Sequence, residues 1–211
     1  AKSMMRILEK YDTSLVYTGV AMNLLLAFQY FKFWCWPQYG DIDTITTLTL
    51  FITFEFILVH SGVFMALAPR KMSLFLFFPF YGVFAYGFFK AGNNPFIIVS
   101  YLLIMLNRMR FAFSDVSEAI RSRAILTSIL AAGIYFVLIF VVLFSQSILP
   151  DLGLNEPFLK QSGYFEQNSS GGLFNEDPKT ALCLGCIYYL ILALIEVKLI
   201  NRAQKSSIAT R

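Results

Sequence analysis

Glu55 and His60 stand inside residues 44–69, TITTLTLFITFEFILVHSGVFMALAP, a stretch otherwise long and apolar enough to cross a bilayer. An ionisable side chain in hydrocarbon costs about 2.5 to 3.5 kcal/mol on insertion scales, so it normally faces a partner, a cavity or a pathway. A carboxylate and an imidazole at that depth have the chemistry to relay protons, pair with a cation, or ligate a metal or haem. Their spacing narrows the choice. The separation corresponds to about 140° of helical rotation, so the pair is not the ready-made two-ligand site that zinc helices place on one face. His60 is the only histidine, which excludes a bis-histidine haem within one chain. The plainer alternative is that both residues hydrogen-bond to Asn, Ser, Thr or Tyr of neighbouring helices and fix the packing.

The same stretch carries Thr46, Thr49 and Thr53 on the stripe of His60, with Thr44, Glu55, Gly62 and Ala66 roughly opposite. Polarity on both sides predicts a central helix enclosed by the others. A second polar face is expected where Asn93, Ser100 and Asn107 recur at heptad spacing. Asn23 and Tyr30 share a face in the same way and are expected to look into the bundle.

Three thiols form the other chemical candidate. Cys183 and Cys186 make a C-x-x-C at one end of an apolar run, and Cys35 lies at the matching end of another. In an oxidising compartment a disulfide or a thiol exchange centre is available to them, although quinone-linked exchange usually uses a second pair. Beside Ala181 and Gly185, small cysteines serve equally as packing residues. Glu196, close to Lys198, is expected to pair with Arg108, Arg202 or Lys71. No Walker A, H-E-x-x-H or G-x-S-x-G motif and no aspartate cluster occurs, which weighs against an enzyme. Neither a cofactor nor a metal can be assigned.

The elements that must position these residues follow from composition. The 211 residues are 57% hydrophobic, 17% aromatic and only 14% charged, with a mean hydropathy of +0.64. Continuous apolar runs of this kind mark an all-α polytopic membrane protein and lack the alternation of barrel strands. We expect a short surface helix at the start, leading into a retained first span over residues 14–36 that is too long for a signal peptide. Further spans are expected at 45–68, 72–89, 95–107, 124–149 and 180–200, in a single membrane domain. In the third span, FLFFPFYGVFAYGFF, Pro79, Gly82 and Gly87 mark a kink or a close helix approach. Residues 108–123 read as a cytoplasmic extension or surface helix joining spans four and five, and residues 150–179 as an exposed outer loop.

Basic residues orient this six-helix bundle. Thirteen of the 17 lie at the N-terminus, in the loops after spans two and four, and near the C-terminal end. The positive-inside rule then gives an N-in, C-in topology in a bacterial inner membrane. The net charge of +4 reflects this loop bias and does not point to nucleic acid. The expected function is an integral membrane transport or channel component using Glu55, His60, Thr53, Ser100 and Asn107, as a homo-oligomer or beside other membrane subunits in the lipid bilayer. The rivals are a non-catalytic subunit or scaffold of a larger membrane complex, and a membrane-embedded redox or lipid-modifying enzyme.

Overall fold

A computed structural model of the chain describes residues 2–67, 72–92, 98–99, 102, 118–168 and 172–209. Among these the fold is all-α, with eight α-helices in chain order: α1 (Lys2–Cys35), α2 (Ile42–Leu67), α3 (Phe78–Gly92), α4 (Glu118–Phe144), α5 (Glu156–Gln161), α6 (Tyr164–Gln167), α7 (Leu173–Glu176) and α8 (Pro178–Ala209). Three stretches, Tyr39–Ser61, Ile125–Phe144 and Pro178–Ile200, are long and apolar enough to cross a membrane. Six spans are not shown. The apolar helical stretch Phe75–Lys90 is short for a crossing, and the span expected over 95–107 lies almost wholly outside the described residues.

Local chemistry sets the boundaries. Nothing in the first 35 residues breaks a helix, so the expected surface helix and first span are one continuous α1 of 34 residues. Pro37 disfavours the helical conformation at Trp36 and stops it. A single 3₁₀ turn, Tyr39–Asp41, then leads into α2, with the Gln38 N–H donating to the Asp41 carboxylate at 2.9 Å. Ahead of Pro79 the chain makes a π-helical turn, Ser73–Phe77, that leads into α3. A proline ring crowds the carbonyl four residues back, here Phe75, and the wider turn relieves that crowding. The helix of the span expected from residue 124 begins earlier, as an extension of it would: α4 runs from Glu118 to Phe144, because Arg121 and Arg123 do not interrupt a helix. It stops before the expected end, in turns at residues 145–148. Pro178 supplies the preset φ of a first helical residue and opens α8.

The helix α2 is central, as its two-sided polarity predicts. It packs on α8, α4 and α3, and 61% of its apolar window is buried against 11% of that of α4, which lies at the perimeter. One face of α2 builds the main core with Tyr30, Tyr135, Tyr188 and Leu184. Another face, Leu50, Phe54 and Leu58, packs on Tyr81 and Ala85 of α3. The most extensive pairing is α1 along α8. Small residues permit it: Ala27, Ala181 and Ala193 are buried there, and Gly185 lies directly against the Tyr30 ring.

The segment expected as an exposed outer loop carries short helices: residues 151–168 and 172–177 hold α5, α6 and α7. Most of these residues are exposed, and Leu154, Leu159 and Tyr164 are buried in the main core. Asn155 caps α5 by accepting from the Phe158 N–H at 2.9 Å. The Trp34 indole N–H donates to the Pro150 carbonyl at 3.1 Å, and the Gly153 N–H donates to the Trp34 carbonyl at 3.0 Å. Gly153 has no room for a side chain, since a Cβ would meet the Pro37 ring and the Cys35 carbonyl. Asn168 donates to the Thr46 hydroxyl at 3.0 Å, Tyr39 to the Gln161 amide oxygen at 2.7 Å, and Gln146 to Asp177 at 3.1 Å.

Candidate functional site

Along α2, residues 45, 48, 52, 55 and 59 follow the alternating three-and-four spacing of one helix face. Ile45, Leu48, Ile52 and Val59 are apolar and buried, and Glu55, 7% exposed, takes the position where the pattern calls for a fifth apolar residue. Removing a carboxylate from water costs several kcal/mol (~) unless hydrogen bonds replace the lost hydration. The Tyr188 hydroxyl of α8 supplies one such bond, donating to Glu55 Oε1 at 3.3 Å.

Three further tyrosines complete the surroundings. Tyr30 of α1, Tyr135 of α4 and Tyr189 of α8 all lie within electrostatic reach of the Glu55 carboxylate. Their rings pack directly on one another. Tyr30 stacks on Tyr189 with centroids 5.7 Å apart, Tyr188 meets Tyr189 edge-on at 5.1 Å, and Tyr135 meets Tyr188 edge-on at 5.4 Å. Tyr30 donates to the Leu48 carbonyl at 2.9 Å and Tyr135 to the Ile52 carbonyl at 2.8 Å. Both carbonyls lie on the Glu55 face of α2, so α1 and α4 are fastened to the central helix beside the carboxylate. The Tyr189 hydroxyl is buried and makes no hydrogen bond.

The other expected pathway residues lie elsewhere. The His60 Nδ1–H donates to the Phe56 carbonyl one turn back, at 2.6 Å, and the ring leans on Phe56 at 4.4 Å. The histidine is half-buried and does not meet Glu55, as the angular separation requires. The Thr53 hydroxyl donates to the Thr49 carbonyl at 2.8 Å, a local bond within α2. Ser100, Asn107 and Asn93 lie outside the described residues.

The thiols of Cys35, Cys183 and Cys186 are free. Cys183 is buried while the other two are half-buried, and Cys186 is within electrostatic reach of both Cys35 and Cys183 where α1 ends and α8 begins. Among the described residues no group of three or more His, Cys, Asp and Glu side chains is arranged to hold a metal ion.

Two polar features were not foreseen in these positions. Asn23, buried on the Tyr30 face of α1 as expected, donates to Glu196 Oε2 at 3.3 Å. Glu196 thus engages α1, whereas Arg108 and Lys71, two of its expected partners, lie outside the described residues. Where residues 151–177 meet α2, the hydroxyls of Thr49 and Tyr164 are buried neighbours, neither in a hydrogen bond of ordinary geometry. Burial pushes the Tyr164 phenol up to about 12, with the Thr49 hydroxyl pulling it down and the Asp177 charge adding to the rise.

Comparison with known proteins adds no relative, since the chain matches no family model, no curated protein and no solved structure.

Proposed function

We propose that the protein is a transport or channel component of a bacterial inner membrane, a six-helix, N-in and C-in bundle in which Glu55 binds the transported or coupling ion. The observation that carries this reading is the carboxylate itself. Glu55 occupies an apolar position of the central helix, is nearly inaccessible to solvent, and receives a hydrogen bond from another helix. A hydrophobic side chain there would pack the bundle without the desolvation cost of a carboxyl group, so its presence is accounted for by binding. The tyrosines from α1, α4 and α8 give the carboxyl a polar lining without opposing it with a second acid. This reading does not rely on His60, whose imidazole bonds to the Phe56 carbonyl on its own helix.

The test is ion flux into proteoliposomes, with proton and monovalent-cation movement recorded for the wild type and for Glu55→Gln. The reading expects flux above that of protein-free vesicles, falling to their level in the variant. Equal flux in both proteins would remove Glu55 from the function.

A further inference from the structure

The packing around Glu55 also bears on what binds there, given the transport reading above. A metal cation that gives up its hydration shell needs several oxygen ligands turned toward it. Among the described residues, three of the oxygens near Glu55 are already committed to hydrogen bonds: the Leu48 and Ile52 carbonyls each accept a tyrosine O–H, and the Tyr188 O–H points at the carboxylate. A cation would have to break these bonds to gather its ligands. Ring centroids 5.1–5.7 Å apart, on side chains at most 3% exposed, leave no space for a hydrated ion.

A proton needs no such space. A neutral carboxyl gains one O–H donor, and Tyr189 has a buried hydroxyl oxygen in the same cluster that accepts nothing. Among the described residues, the groups facing Glu55 across its packed neighbours include Tyr30 from α1, Tyr135 from α4, and Tyr188 and Tyr189 from α8. The α3 helix packs on the separate face formed by Leu50, Phe54 and Leu58. The next carboxylate on this face of α8, Glu196, lies about 10 Å further along the axis, by the rise per residue.

We propose that the ion bound at Glu55 is a proton, which the carboxyl presents to the Tyr189 hydroxyl, and that the site excludes metal cations. Loading forms one O–H bond at a Glu55 oxygen as one O–H bond of hydronium breaks and leaves water. Unloading reverses this, and nothing is oxidised or reduced.

The experiment uses proteoliposomes with a trapped pH dye under an imposed membrane potential, and a parallel set, without ionophore, that takes up radioactive sodium or rubidium. The proposal expects acidification by the wild type, background rates in Glu55→Gln, and a rate about tenfold lower in Tyr189→Phe, as for one lost hydrogen bond. It expects no uptake of either metal ion. Glu55→Asp, which keeps a titratable carboxyl, should restore part of the proton flux, and size-exclusion profiles should show that each variant is folded. Glu55-dependent sodium or rubidium uptake without acidification would overturn the proton assignment while leaving the transport reading intact. No flux of any of these ions through the folded wild type would overturn the transport reading, and the proton assignment with it.

Discussion

The Tyr30 ring fills the notch that Gly185 leaves in α8, so closely that a Cβ at position 185 would collide with the ring. This contact also aims the Tyr30 hydroxyl at the Leu48 carbonyl of α2, and so one glycine sets the spacing of three helices. Gly185→Ala should force Tyr30 to shift and cost about 1–3 kcal/mol, as overpacked cores do. A lowered Tm in detergent would show it; an unchanged Tm would mean that α1 and α8 are not held at this separation.

Asn23 and Glu196 join α1 to α8 a second time, through a bond of 3.3 Å. A double-mutant cycle with Asn23→Ala and Glu196→Gln should give a coupling of about 0.5–1.5 kcal/mol in unfolding free energy. Additive effects would indicate that the contact contributes nothing of its own.

Tyr164→Phe is expected to be neutral or to stabilise the protein by up to about 1 kcal/mol, because it removes a buried hydroxyl that makes no hydrogen bond. Thermal unfolding is the check. A clear loss of stability would show that the phenol has a partner worth more than its desolvation.

His60→Gln should leave both flux and stability near wild type. Among the described residues the imidazole bonds to the carbonyl one turn back on its own helix, about 140° of helical rotation away from Glu55. Parallel flux and melting measurements would reveal any deeper role as a loss comparable with that of Glu55→Gln.

Residues 151–168 should resist a protease added from their side of the membrane, since Leu154, Leu159 and Tyr164 anchor them in the core. Trp34→Phe, which removes the indole donor to Pro150, should speed cleavage. Rapid cutting of the wild type would contradict a folded cap.

The central role of α2 was legible because Glu55 and the threonines put polarity on both of its sides, and periodicity is a property of one helix at a time. Glu55 itself was legible for a simpler reason, as carboxylates in apolar runs are rare. Of its tyrosine surroundings, only Tyr30 was expected to face the bundle. Tyr30, Tyr135, Tyr188 and Tyr189 come from three helices, and no single-helix pattern says which faces meet. The cap escaped because Leu154, Leu159 and Tyr164 recur every five residues, which matches neither a helix nor a strand. The thiols were placed correctly at one end of α1 and α8, but only packing distinguishes buried Cys183 from its half-buried neighbours.

The most direct test of Glu55 as a proton-binding group held by tyrosine is an infrared pH titration of the reconstituted protein. Subtracting the Glu55→Gln spectra should isolate one protonated-carboxyl band that comes and goes with pH, and Tyr188→Phe should shift that band by removing the 3.3 Å hydrogen bond. Identical titrations of the wild type and Glu55→Gln would contradict the account, because a carboxyl that never changes protonation cannot carry a proton.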